Sequence, residues 1–183
     1  MTLDDIVSLV FIEAPSVPEF TARQQIMLAA REFCEETYAW QQVEDAETEE
    51  GRADVELFAP GGSEVVAVVS VTGLERGKDY KQPTPSMLRL AVPAASSYAM
   101  QVMLALKPRI QSSTLPDDLK PYIETLAKGA VYRLTSMAGV EWSNPQAAQS
   151  NYIQWQAAIA EARQRSQTGR AFGARTVKPR RFI

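Results

Sequence analysis

The sequence predicts an α+β fold: a helical bundle of three to four helices, ending in an αα-hairpin, that carries an inserted small antiparallel β module and an extended C-terminal arm. Three observations lead there. Apolar residues recur every three or four positions near both ends of the chain, the signature of helices with one buried face. Between them, over residues 41–110, the period drops to two and valine becomes frequent, as strands require. After residue 167 no period remains. One domain is therefore expected over residues 1–167, with helices at about 3–12, 19–39, 116–138 and 144–167, and a basic arm over 168–183.

The C-terminal hairpin is the strongest of these elements. Leu119, Ile123, Leu126, Ala130, Leu134 and Met137 fall at helical spacing after Leu115-Pro116-Asp117-Asp118, whose two acids suit the exposed N–H groups of a first turn. Gly139 and a Trp-Ser-Asn-Pro link follow. Pro145 fits the first turn of a second helix, with Asn144 or Ser143 as cap. That helix aligns Ala148, Tyr152, Trp155, Ile159 and Ala162, and Trp142 in the link is expected to pin the turn to its neighbour.

At the other end, Leu3, Ile6, Val7, Val10 and Phe11 predict a short helix with Thr2 as cap and Asp4 and Asp5 in the first turn. Pro15 and Pro18 break it. Ala22, Ile26, Ala29, Ala30, Phe33 and Thr37 then form the inner stripe of an amphipathic helix. In the middle, segments 40–47, 53–58, 64–71, 87–92 and 98–107 read as four or five short strands. Pro60-Gly61-Gly62 reads as a hairpin turn and the segment 73–86 as a loop.

Composition narrows the chemistry. The chain has no histidine, which removes Ser-His-Asp and Cys-His catalysis and imidazole metal ligation. Its one cysteine, Cys34, lies beside Phe33 on an apolar helix face and reads as a packed thiol; no internal disulfide is possible. Gly61-Gly62 lacks the Gly-Lys-Ser/Thr of a phosphate cradle. Asp117/Asp118 open a helix, and Glu44, Asp45, Glu47, Glu49 and Glu50 fall in a segment read as a solvated loop. Neither group has the apolar surroundings that raise a carboxyl pKa for acid catalysis. No catalytic, metal or cofactor residue is assigned, and the chain is not expected to be an enzyme. No apolar run approaches the roughly 20 residues of a membrane span. Asp4 and Asp5 stand where a secretory signal would be positive, so synthesis in the cytoplasm is expected.

The charge distribution is the least ordinary feature. The net charge of −3 hides an acidic start and a basic end. Residues 1–58 hold fourteen Asp and Glu against Arg23, Arg31 and Arg52, while no acid follows Glu161. Such a chain can join itself head to tail or offer its end to an acidic partner. Residues 168–183 (TGRAFGARTVKPRRFI) read as an arm that orders on a partner. Phe172 and Phe182 would anchor it, and Arg170, Arg175, Lys178, Arg180 and Arg181 would pair with carboxylates or phosphates.

The order of these parts resembles a known family. An amphipathic helix ending REFCEETYAW, a small β region, LKPRIQSSTLPDDL, a hairpin linked through GVEWSNPQAAQSNYIQWQAAIAEAR and an arm ending KPRRFI look like the head-to-tail adaptor (connector) proteins of tailed bacteriophages. The resemblance covers nearly the whole chain. It implies a structural, non-catalytic virion protein at the head–tail junction, made in the host cytoplasm. It further implies a homo-oligomeric ring, commonly of twelve copies, between the dodecameric portal protein and a tail or nozzle protein. DNA would pass through the lumen without sequence-specific contact, and the arm would grip the portal or a neighbouring subunit. The alternative is a regulatory or nucleic-acid-binding protein whose basic tail meets phosphates.

Overall fold

The computed structural model describes residues 1–168, an α+β fold of four α-helices and two small antiparallel sheets. Helix α1 spans Asp4–Glu13 and α2 Glu19–Thr37. Six strands follow: β1 Gln41–Glu47, β2 Asp54–Glu56, β3 Ser63–Val71, β4 Tyr80–Thr84, β5 Met87–Leu90 and β6 Ala99–Pro108. A 3-10 helix, Asp117–Tyr122, leads into α3 Ile123–Thr135, and α4 runs Pro145–Thr168. One sheet has the order β1-β6-β3, the other β2-β5-β4.

The predicted stripes are the ones that go inside. Ala22, Ile26, Ala29, Ala30, Phe33 and Thr37 of α2 are buried, and so are Leu126, Ala130 and Leu134 of α3. Helix α3 touches each of the other three helices, and α2 lies on β6. The apolar inner faces thus merge into one core. Cys34 is within it, and burial pushes its thiol up to about 12. Helix α2 stops two residues earlier than its pattern implies, because Tyr38 turns left-handed at φ 53° and donates its N–H to Cys34 O at 3.0 Å.

Several expectations change on contact with the fold. The helix predicted over 116–138 is two elements. Pro121 cannot donate an N–H, so the chain takes a 3-10 turn through Tyr122 before α3 starts. Met137 lies past the end of α3, half-buried against the core. Thr2 does not cap α1: its N–H and hydroxyl both donate to Asp5, at 3.2 and 3.1 Å, so the acid reaches back instead. Tyr152 sits at the rim of the α4 stripe, 40% exposed and tilted against Tyr132 at 5.0 Å. Asn151 takes the inner position, donating to Glu13 Oε2 at 2.8 Å and Ala147 O at 3.1 Å.

In the β region, the segment read as a loop contains β4. Lys81, Gln82 and Pro83 hide it from any apolar pattern, and only Tyr80 is buried. The Gly61-Gly62 turn is real, with Ser63 N–H on Pro60 O at 3.1 Å and Gly62 at φ 80°, yet it joins strands of different sheets and closes no hairpin. Of the acids placed in a solvated loop, Glu44, Asp45 and Glu47 belong to strand β1, as the alternation over 40–47 predicts, and Glu49 and Glu50 lie beyond its end. Asn144 is the cap of α4, accepting from Ala147 N–H at 3.0 Å.

A charged seam fastens α2 to the first sheet. The Arg31 guanidinium donates to both carboxylate oxygens of Glu64 on β3, at 3.2 and 2.9 Å, and to Pro108 O at 2.5 Å. Lys107 of β6 pairs with Glu35 at 2.5 Å. The hydrogen bond from Arg31 holds the Glu64 carboxyl below its ordinary range, against a partly opposing desolvation. A depressed folded-state pKa contributes stability that is present above the unfolded value and is lost as pH falls through the folded one. Arg31→Met should therefore flatten the decline of stability between about pH 5 and pH 3, where an unpaired glutamate titrates. Urea midpoints across that range would show it, and a slope identical to the parent would remove this seam from the pH response.

Candidate docking interface

Two surfaces carry the chemistry that the fold leaves outward: the mount from which the basic segment departs, and an acid-lined cleft. The mount is the end of α4. Among the described side chains of that helix, a narrow stripe, Ala148, Asn151, Trp155, Ile159 and Ala162, is buried. Trp155 fills the space left by the missing side chain of Gly129, and its ring lies 5.7 Å from Phe33 of α2. Further on, Arg163 donates through Nε to Glu36 O at 2.8 Å and pairs with the Glu36 carboxylate. Ser166 donates its hydroxyl to Thr37 O. The C-terminal end of α4 is thus tied to the last turn of α2, next to the start of β1.

The cleft forms where edge strand β1 meets edge strand β2. Side chains alternate along both, and the inner positions Ala46, Thr48, Val55 and Leu57 are buried. The outer positions are Val43, Asp45, Glu47 and Glu49 on one wall, and Asp54, Glu56 and Phe58 on the other. Phe58 is 74% exposed, and Met87 from β5 completes the lining. The cleft is open to solvent and holds about 780 Å³ of space, room for several side chains.

The walls are held by backbone bonds. Buried Thr48 exchanges hydrogen bonds with Tyr98, its N–H donating to Tyr98 O at 2.9 Å and its Oγ accepting from Tyr98 N–H at 3.0 Å. Gly51, at φ 77°, donates to Ala94 O at 2.8 Å. Leu57 N–H reaches Ser86 O at 2.9 Å.

Charge balance in the cleft is incomplete. Arg52 pairs with Glu49 at 2.8 Å, and Arg89 grips Asp54 with Nε–Oδ1 at 2.5 Å and Nη2–Oδ2 at 3.0 Å. The Arg89 hydrogen bond keeps the Asp54 carboxyl below its ordinary range. Asp45, Glu47 and Glu56 have no ion-pair partner among the described residues. By contrast Asp117 is occupied, bonded to Lys120 at 3.0 Å and to the Met1 amine at 3.0 Å, which accounts for that acid structurally. Among the described residues no group of three or more His, Cys, Asp or Glu could hold a metal ion.

The residues that the sequence singled out for partner binding, Arg170, Phe172, Arg175, Lys178, Arg180, Arg181 and Phe182, lie outside the described residues. The sequence places these acids on the predicted strands 40–47 and 53–58 and in the segment between them, but nothing in it brings the two strands face to face. The signal was available in the alternation 43, 45, 47, 49 and 54, 56, 58, in which five of seven outward positions are acidic.

Fold and surface together define an α+β chain with an acid-lined cleft between two sheets and a basic terminal segment departing from a fixed helix end. No protein-family model and no curated protein matches this chain. Among the described residues no helix is long and apolar enough to cross a membrane.

Proposed function

We propose that this chain is a structural head–tail adaptor of a tailed bacteriophage, forming a ring beneath the portal that joins the DNA-filled head to the tail. The observation that carries the proposal is the division of charge between body and arm. Of the 19 Lys and Arg, five lie in residues 168–183 together with none of the 22 Asp and Glu, which leaves 14 basic against 22 acidic residues in the body. A body of that sign repels phosphates and would let DNA slide through a lumen without sticking. A net positive charge is concentrated in the segment that follows the α4 end tied down by Arg163 and Ser166. An arm on a rigid mount suits attachment to a preformed ring: the helix aims it, and the arginines and Phe172 and Phe182 supply its contacts.

Deleting residues 168–183 is expected to abolish co-sedimentation with portal rings from the same phage while the far-ultraviolet circular dichroism of the body is retained. Undiminished docking by the truncated chain would overturn the arm's role. The same basic segment also favours the second reading, a nucleic-acid-binding protein. That reading requires binding to generic duplex DNA that weakens steeply with salt, with a slope that shrinks as tail arginines are replaced.

A further inference from the structure

We propose that the cleft between β1 and β2 is a docking site for the chain's own C-terminal segment, residues 169–183, folded back onto the same molecule. The inference starts from the cleft's excess of like charge. Asp45, Glu47, Glu49, Asp54 and Glu56 face one space with, among the described residues, only Arg52 and Arg89 paired to them. Carboxylates that face one another across a narrow space repel, and at short range the cost is not fully screened by solvent. The walls are nonetheless fixed by the bonds of Thr48, Gly51 and Leu57, so the carboxylates cannot simply spread apart.

The chemistry of the space selects its occupant. It is not a cation cage, since no group of three acidic ligands among the described residues could hold a metal ion. It repels phosphates, which excludes nucleic acid and anionic lipid. What fits is an extended cationic peptide with an aromatic side chain to cover Phe58 and Met87. Residues 169–183 supply Arg170, Arg175, Lys178, Arg180 and Arg181 with no acid, and Phe172 and Phe182 as apolar anchors. The pair Arg180-Arg181 would meet Glu47 and Glu56, and Phe182 would stack on Phe58 in an offset aromatic pair.

Reach decides in favour of the same molecule. Arg163 and Ser166 tie the end of α4 to Glu36 and Thr37, just before β1 begins. Seven residues of β1 at about 3.3 Å each carry the chain roughly 23 Å from there to the cleft. A random-coil chain of 15 residues, the length from 169 to 183, has an end-to-end distance of about 21 Å. Local concentration is highest when a tether's length matches its span, at millimolar level, well above that of another copy in dilute solution. Docked there, the arm would be stowed, and any partner that recruits it would first have to displace it from the cleft.

The test uses the full chain with a nitroxide on Ile183→Cys, Cys34 being buried and its thiol pushed to about 12. In a dilute, low-salt, ¹⁵N-labelled sample, the amides of residues 43–58 should lose most of their intensity, and high salt should restore it. Glu47→Lys/Glu56→Lys, both at exposed positions, should abolish the effect and leave the rest of the spectrum unchanged. Full intensity in the parent chain overturns the proposal, as does broadening indifferent to the charge reversal. Broadening that arises only between spin-labelled copies and ¹⁵N copies without a label places the contact between molecules and overturns the intramolecular assignment. No readout involves a portal ring, so this inference and the adaptor reading fail separately.

Discussion

Trp155→Ala is expected to lower the unfolding free energy by about 3–5 kcal/mol, the range for removing a fully buried large aromatic side chain. Trp155 has no exposed surface and bridges three helices: it rises from α4, packs on Gly129 of α3 and tilts against Phe33 of α2. Phe33 in turn meets Tyr122 of the 3-10 helix at 4.8 Å. Truncation at 155 therefore opens a cavity that no single element can close. For a chain of this length the loss corresponds to a fall in Tm of about 6–20 °C, readable by thermal denaturation. A change below about 1 kcal/mol would mean that α4 is not seated as described. Trp155→Phe should be much milder. Its indole N–H has no acceptor among the described residues, so replacing it forfeits ring area but no hydrogen bond.

Gly129→Ala is the second large effect, and its sign separates two physical terms. Helix propensity alone favours alanine over glycine in mid-helix by about 1 kcal/mol. A Cβ at 129, however, would lie 2.7 Å from Cε3 and Cζ3 of Trp155. Overpacking of that kind costs about 1–3 kcal/mol, and a rigid indole between two helices has little room to yield. The net result should be destabilisation. In the Trp155→Ala background the clash vanishes, so Gly129→Ala should there stabilise by up to about 1 kcal/mol. A double-mutant cycle with chemical denaturation measures this reversal. Additive effects would show that residues 129 and 155 do not touch.

The helices were legible because each buries an apolar stripe, and a period of 3.6 kept up over about three turns or more is hard to produce by chance. All six residues of the predicted α2 stripe are buried, and Met27, which that stripe leaves out, is buried with them. What escaped has local causes. Pro121 sits inside an otherwise continuous helical pattern, and a single missing N–H outweighs the spacing of Leu119 and Ile123. Strand β4 buries one side chain, Tyr80, so it has almost no apolar signature; its place is set by pairing with β5, a tertiary fact. Tyr152 and Asn151 exchange the roles that hydrophobicity assigns them, because Glu13 offers the amide a partner inside while Tyr132 gives the ring one outside. The cleft shows the same limit. Its acids are plain in the sequence, yet that β1 and β2 face each other follows from the separate pairing of β1 with β6 and β2 with β5.

The interleaved strand order has a further consequence. Strands β1, β3 and β6 belong to one sheet and β2, β4 and β5 to the other, so the backbone crosses from sheet to sheet after β1, β2, β3 and β5. Neither sheet corresponds to a contiguous stretch of chain. The first sheet needs the whole of residues 41–108, and a shorter piece that keeps β2, β4 and β5 takes β3 away from it, so no shorter piece retains both three-stranded ladders. The β region is therefore expected to be gained or lost as a unit, with the β4–β5 turn, a local hairpin, the one connection between its strands that stays within a single ladder.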